Sequence, residues 1–170
     1  RVARYSPCPV LVTRAGPENG VVIAATDFSD PSIPAIVTGS KEAIRLGTSL
    51  VVVHAIDFAL PPPVASGGFF GLVPTTYSAE AIAEMQTAAQ TNLATLLKNA
   101  KVQAEPVVLA GDAADSVVSE AETRHAQLIV VGTHGRTGLA HIALGSVAEN
   151  IMRNAPCSVL VVRLATPSKR

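Results

Sequence analysis

The 170-residue chain has no tryptophan, and aromatic residues of any kind make up only 4% of it. Its core must therefore come from aliphatic side chains. Two cysteines, Cys8 and Cys157, are too few for a disulfide framework or a cysteine-built zinc site. That scarcity points to a reducing, cytoplasmic setting. Charge is also scarce, at 15% of residues, with 13 basic side chains balancing 13 acidic ones. Such a balance leaves no broad basic face for nucleic acid, although a local anion site stays open. No apolar run approaches the roughly 20 residues of a membrane span, so neither nucleic acid nor membrane is an expected partner. No signal-peptide pattern is read at the start, but the first residue is Arg1 rather than Met, and it is not taken as a natural beginning.

Aliphatic residues dominate what is present. Hydrophobic residues reach 48%, and the length suits one domain with a real core. One stretch occurs twice. Val2-Ala3-Arg4-Tyr5-Ser6-Pro7-Cys8-Pro9-Val10-Leu11-Val12-Thr13-Arg14 echoes Ile151-Met152-Arg153-Asn154-Ala155-Pro156-Cys157-Ser158-Val159-Leu160-Val161-Val162-Arg163. Arg, Pro, Cys, Val, Leu, Val and Arg recur in one register, which coincidence between two valine-rich strands does not readily produce. A repeat seen once at each end reads as a tandem array cut in its first copy. The expectation is that residues 1–16 are the last strand of a preceding, missing domain with the start of a linker, and that residues 17–170 form the domain proper.

Within that domain, Val21 to Ala25 is an apolar run of strand length. Ser29 or Asp30 can cap a helix with Pro31 in its first turn, running to Leu46 and stopped by Gly47. Ser49 to Ile56 is apolar throughout, and strands apolar on both faces belong in a parallel sheet covered by helices. Asp57 to Tyr77 is irregular, carries Phe58, Phe69, Phe70 and Tyr77, and reads as a lid, an interface or an excursion. Ala79 to Ala100 has helical spacing, with Met85 on the core stripe. A strand from Gln103 to Leu109 follows. A helix capped by Asp112 then ends near His125. Leu128 to Val131, a helix from about Ala143 to Asn154 and Ser158 to Arg163 complete the order. Alternating strands and helices predict an α/β fold: one doubly wound five-stranded parallel sheet with four helices, plus an extra N-terminal strand.

Chemistry concentrates where the fourth of these strands ends, at Val130-Val131-Gly132-Thr133-His134-Gly135-Arg136, followed by Gly145-Ser146. Gly132 and Gly135 let the main chain turn sharply and approach a ligand. Gly145-Ser146 would offer free N–H groups and a hydroxyl at a helix start, which suits an anion. Glycines also serve as plain turns. In doubly wound sheets, however, ligands bind beyond the carboxyl ends of strands where the order reverses. Asp27 ends the first strand, so neighbouring strands would set a carboxylate opposite a glycine phosphate loop.

On these residues the chain resembles the universal stress protein family, over Asn19 to Arg163. Ala-Thr-Asp-Phe-Ser, Val-His-Ala-Ile-Asp, Val-Val-Gly-Thr-His-Gly-Arg and the closing Ala-Pro-Cys-Ser-Val-Leu-Val-Val-Arg all look like it. Gly132, Gly135, Gly145 and Ser146 meet the family's nucleotide motif, G-x2-G-x9-G-[S/T]. The resemblance implies a Rossmann-like member of the ATP-binding branch. Carried over by position, Ala25, Thr26 and Asp27 lie by the adenosine and metal region, and Ala55 lines the adenine pocket beside Val131. Gly132, Thr133, His134 and Gly135 wrap phosphates and ribose. Gly145, Ser146 and Val147 hold the terminal phosphates. Asp27 is a weak site for Mg2+ or Mn2+, since one carboxylate is little by itself. Ala25 stands where relatives often have proline.

Other roles stay open. Asp27 can merely cap the first helix, His134 can be a solvated loop residue, and Arg136 can meet a phosphate or water. His54 reads as a hydrogen-bonded core histidine, His125 and His141 as surface residues, and both cysteines as free, non-catalytic thiols. The resemblance also implies antiparallel pairing of the last strand, Val159 to Val162, in a homodimer or tandem pair. Val10 to Thr13 would pair there, within one chain or between chains. The expected function is ATP-dependent regulation or interaction in stress, with at most slow hydrolysis. The alternatives are a slow ATPase or phosphotransferase, and a dimerisation module with no nucleotide requirement.

Overall fold

The computed structural model describes residues 6, 8–58, 77–133 and 144–163. Its elements are β1 (Val10–Val12), β2 (Val22–Ala25), a 3-10 turn (Asp30–Ser32), α1 (Ile33–Leu46), β3 (Leu50–Ile56), α2 (Ala79–Ala100), β4 (Glu105–Ala110), α3 (Ala113–Thr123), β5 (Leu128–Gly132), α4 (Ser146–Asn154) and β6 (Ser158–Val162). The strands form one sheet in the order β1-β6-β5-β2-β3-β4. Strands β2 to β6 run parallel, and β1 joins β6 antiparallel. This is the expected parallel sheet with its extra N-terminal strand. The pairing of β1 lies within the chain.

The strands are apolar on both faces because each face carries helices. One face buries Ile23, Val51, Val53, Ile129, Val131, Val159 and Val161 against Val117 and Ala121 of α3 and Ala148 and Ile151 of α4. The other buries Val22, Ala24, Leu50, Val52, Leu128 and Val130 against Ile36 and Ala43 of α1 and Leu93 and Leu97 of α2. Each fully buried side chain of this size contributes about 1.5–3 kcal/mol, and this aliphatic packing replaces the missing tryptophan.

Chain punctuation sets the element ends. Gly47 takes φ 65°, and its N–H bonds the carbonyls of Ala43 and Ile44, closing α1. Ser78 caps α2 by accepting from Ala81 N–H, and Asp112 caps α3 by accepting from Ala114 and Asp115 N–H. One start differs from expectation. Neither Ser29 nor Asp30 caps α1; Asp30–Ser32 forms a separate 3-10 turn holding Pro31, and α1 begins at Ile33. The Ser32 hydroxyl donates to the Ser29 carbonyl at 2.7 Å and tightens this turn. The last helix begins at Ser146, after Gly145 as N-cap, rather than near Ala143. The irregular stretch expected to be a lid, an interface or an excursion falls mostly on residues 59–76, outside the described residues. Phe58 and Tyr77, which flank it, meet edge-to-face with ring centroids 6.3 Å apart.

Candidate functional site

Strands β2 and β5 are adjacent and parallel, with Ala24 opposite Val130. From β2 the chain proceeds outward to β3 on one side, while β5 leads to β6 on the other, so the strand order reverses between them. A cavity of about 290 Å³ opens at the carboxyl ends of these strands.

Ala25, Thr26 and Asp27 line it after β2, and Ala55 after β3. Val131, Gly132 and Thr133 line it from β5, and Gly145, Ser146 and Val147 from the start of α4. Ten residues picked from the sequence thus meet around one space. The other three, His134, Gly135 and Arg136, lie outside the described residues, as does His141. Six further lining residues went unmarked as site residues: Ser32, Val53, His54, Ala113, Val117 and Ala148. Val53 was within reach, because side chains two apart on a strand share a face with Ala55. Ala113 and Val117 sit four apart on α3, a spacing that reads equally as core.

The start of α4 supplies donors. Gly145 has extended φ/ψ, and its N–H is tied to the Thr133 carbonyl at 2.8 Å. The helical ladder begins with Glu149 N–H on the Gly145 carbonyl at 2.9 Å. The N–H groups of Ser146, Val147 and Ala148 therefore precede the ladder and face the cavity end of the helix dipole. Thr133 is itself held by its N–H on the Val162 carbonyl at 3.0 Å, which locks the exit of β5 against β6.

Across the cavity a chain of hydroxyls shapes the Asp27 loop. Ser32 spends its proton on the Ser29 carbonyl, so the Thr26 hydroxyl donates to Ser32 Oγ at 2.7 Å. Phe28 N–H donates to Thr26 Oγ1 at 3.1 Å. Asp27 Oδ1 accepts from the Ser29 N–H at 3.1 Å and the Ser29 hydroxyl at 2.5 Å. Asp27 thus secures its own turn and does not cap α1, while its residue still lines the cavity. The loop holds Phe28 at φ 66°, a conformation costly for an aromatic residue. The Phe28 ring lies on the His54 ring with centroids 4.0 Å apart.

His54 is buried and bonds the Thr26 carbonyl through Nδ1 at 2.9 Å. A carbonyl only accepts, so Nδ1 carries the proton. The histidine is the hydrogen-bonded core residue expected from the sequence, and it is also part of the cavity wall. Asp27 is the only carboxylate among the described lining residues, and no group of three metal-ligating side chains exists among the described residues. His125 is exposed, and Lys101 and His125 join Phe28 in left-handed φ. Cys8 is exposed and Cys157 buried, both free, and neither reaches the cavity. Burial pushes the Cys157 thiol up to about 11, against the pull of the Arg14 charge, so it is no nucleophile at neutral pH.

The arrangement is a slot with apolar walls (Ala25, Val53, Ala55, Val117, Val131) and donors for an anion at one end, with Asp27 also in its lining. It can hold a flat apolar group joined to a phosphate.

A universal stress protein of Methanocaldococcus jannaschii is 35% identical over 146 residues, 84% of this chain and 81% of that protein. Universal stress protein A homolog 1 of Coxiella burnetii is 37% identical over 142 residues, 83% and 94% of the respective chains. A universal stress protein of Mycobacterium tuberculosis is 30% identical over 173 residues, covering 95% of this chain, which spans 54% of that protein. Among solved structures, a protein of Pseudomonas aeruginosa PAO1 superposes with TM-score 0.68 at 22% identity, over 96% of this chain and 55% of its own. A universal stress protein solved in complex with cAMP gives 0.61 at 23%, over 86% and 99%. One from Archaeoglobus fulgidus in complex with dAMP gives 0.57 at 20%, over 86% and 100%. No helix among the described residues is long and apolar enough to cross a membrane. With the model of the universal stress protein family matching residues 19–163, the chain belongs to that family.

Proposed function

We propose that the chain is an ATP-binding universal stress protein acting as a nucleotide-dependent regulatory or interaction module in the cytoplasm. The observation that carries this reading is the pairing, in one cavity, of an apolar slot with the N–H groups of Ser146, Val147 and Ala148, which precede the helical ladder. Adenine would lie between Ala55 and Val131. Phosphates would meet the start of α4, and Asp27 would face a Mg2+ or Mn2+ ion shared with them. That related folds are solved in complex with cAMP and dAMP supports an adenine nucleotide as the ligand.

Hydrolysis is slow at most in this reading. The described lining offers one carboxylate and a histidine whose Nδ1 is committed to a carbonyl, and phosphoryl transfer relies on groups that position a nucleophile. Isothermal titration with ATP and magnesium is the direct test, and no heat at high protein concentration defeats the reading. Ser146→Glu sharpens it. A carboxylate in the first turn suits the helix dipole, so the fold should hold while phosphate binding is lost.

The same proposal extends to assembly: residues 1–16 come from a preceding domain of this family. In support, the relatives that match 95–96% of the chain, N-terminal strand included, are nearly twice its length. Immunodetection in the source cell should show a protein of about twice 17.5 kDa, whereas a band at 17.5 kDa would refute it.

A further inference from the structure

The helix that offers donors to the cavity is short. α4 has nine residues and buries Ala148 and Ile151 on one face. A helix of this length draws its stability from what it touches, so two small apolar anchors leave its placement to the contacts at its ends. At the first end, the Gly145 N–H is tied to the Thr133 carbonyl, and the Thr133 N–H to the Val162 carbonyl of β6. The N–H groups of Ser146, Val147 and Ala148 follow at once, beside the cavity.

The other end is held by a residue far away in sequence. Arg14 Nη2 donates to the carbonyls of Met152 at 2.6 Å and Arg153 at 3.0 Å. Both carbonyls belong to the last turn, where a helix leaves its acceptors without partners of its own. A guanidinium also suits the negative end of the helix dipole. Arg14 Nη1 is buried, so the group is inserted against the helix end rather than laid on the surface. Its backbone is fastened too: Arg14 N–H donates to Ser158 Oγ at 3.1 Å, and the Ser158 hydroxyl lies 3.3 Å from the Arg14 carbonyl. Just beyond, Gly16 runs so close to the turn between α4 and β6 that a Cβ there would stand 3.3 Å from Cys157 Cβ. Arg14 therefore clasps α4 and the start of β6 together.

Nine helical residues span about 13.5 Å. A tilt at the last turn is carried by one stiff element to the first, where the donors are. We propose that Arg14 is a positioning residue for the cavity: by holding the last carbonyls of α4 it sets the place of the N–H groups at the other end of that helix. The segment from Val10 to Gly16 thereby serves the site, although none of its residues lines the cavity. Linkage makes the effect mutual, since a ligand that prefers α4 in place must tighten the segment that keeps it there. The inference rests on the proposed function for the identity of the ligand, ATP, whereas the placement of α4 is read without it.

The test compares the parent chain with Arg14→Met, which keeps the length and loses the donors, and Arg14→Lys, which keeps the charge. Circular dichroism checks folding, and Arg14→Gln replaces a Met variant that does not fold. Amide exchange without ligand reads the helix. The Gly145 and Glu149 N–H groups, which fix the first turn of α4, should exchange at least about fivefold faster in Arg14→Met. Amides of β4, at the far margin of the sheet, should be unchanged. Isothermal titration reads the ligand: ATP with magnesium should bind roughly 5–150-fold more weakly to Arg14→Met, with part of the loss recovered in Arg14→Lys. In the parent, saturating ATP should slow exchange of the Arg14 amide by a similar factor. Unchanged exchange at Gly145 and Glu149 overturns the proposal, as does a rise shared equally by β4, or unchanged ATP affinity in a folded Arg14→Met. A parent that binds no ATP defeats the nucleotide reading instead, and the exchange at Gly145 and Glu149 then decides the role of Arg14 alone.

Discussion

The two cysteines show how burial divides one residue type into two behaviours. Cys157 lies in the core with no exposed surface, and Cys8 is exposed. Ellman's reagent should therefore titrate one thiol in the native protein and two after denaturation. Alkaline titration tests the same residue. The Cys157 thiol is pushed up to about 11 from an ordinary value of 9.0 by burial. Above pH 9 the unfolded chain loses this proton while the folded chain keeps it, so stability falls with rising pH until the folded thiol also ionises near 11. A shift of this size is on the order of 2–3 kcal/mol. Denaturant midpoints measured across that window should fall in the parent chain and much less in Cys157→Ala. Gly20 is a second residue with a sharp demand: a Cβ there would stand 1.8 Å from the His125 carbonyl oxygen. Gly20→Ala should cost about 3 kcal/mol in chemical denaturation through forced backbone movement.

At the scale of elements, helix ends marked by strong side-chain chemistry were the most legible. Asp112 accepts from Ala114 N–H at 2.8 Å and Asp115 N–H at 3.0 Å, as its place before an amphipathic run predicts. Asp112→Ala should lower stability by about 1 kcal/mol, seen as a drop in thermal midpoint, and an unchanged midpoint would refute the cap. Gly47 and the buried strands were equally readable, because left-handed φ and two-sided burial leave direct marks in the residues. The start of α1 was not. Ser29 and Pro31 look like an N-cap and first turn, but the Thr26–Ser32–Ser29 hydroxyl chain competes locally and draws the backbone into a 3-10 turn. The cavity was readable on its β2 and β5 sides, where strand ends and glycines stand out. Its α3 wall was hidden, because Ala113 and Val117 have the spacing and character of core residues.

For the whole molecule, charge balance and sheet edges set the limits on association. A formal net charge of +0 and an isoelectric point near 7.1 leave little repulsion between copies at neutral pH. Light scattering should find the most attractive interactions near pH 7 and weaker ones two units to either side. The edge at β4 is blunted, since Pro106 lacks an N–H and its carbonyl is covered by Gln90 Nε2 at 3.2 Å. The opposite margin is the less protected one: there β1 is three residues long and Leu11 is 53% exposed.

The bond between Arg14 and Ser158 joins residues 144 positions apart. Of the strands described, β1 is synthesised before the others, and its partner strand follows only after nearly the whole domain has been translated. At 5–20 residues per second this delay is roughly 7–30 seconds. During that time Val10 to Val12 lacks the β6 partner that it has here. Neighbouring ribosomes on one message would hold finished β6 edges close to waiting β1 strands. Strand exchange between nascent chains is therefore an expected error of this topology, and comparing dense with sparse polysomes checks it.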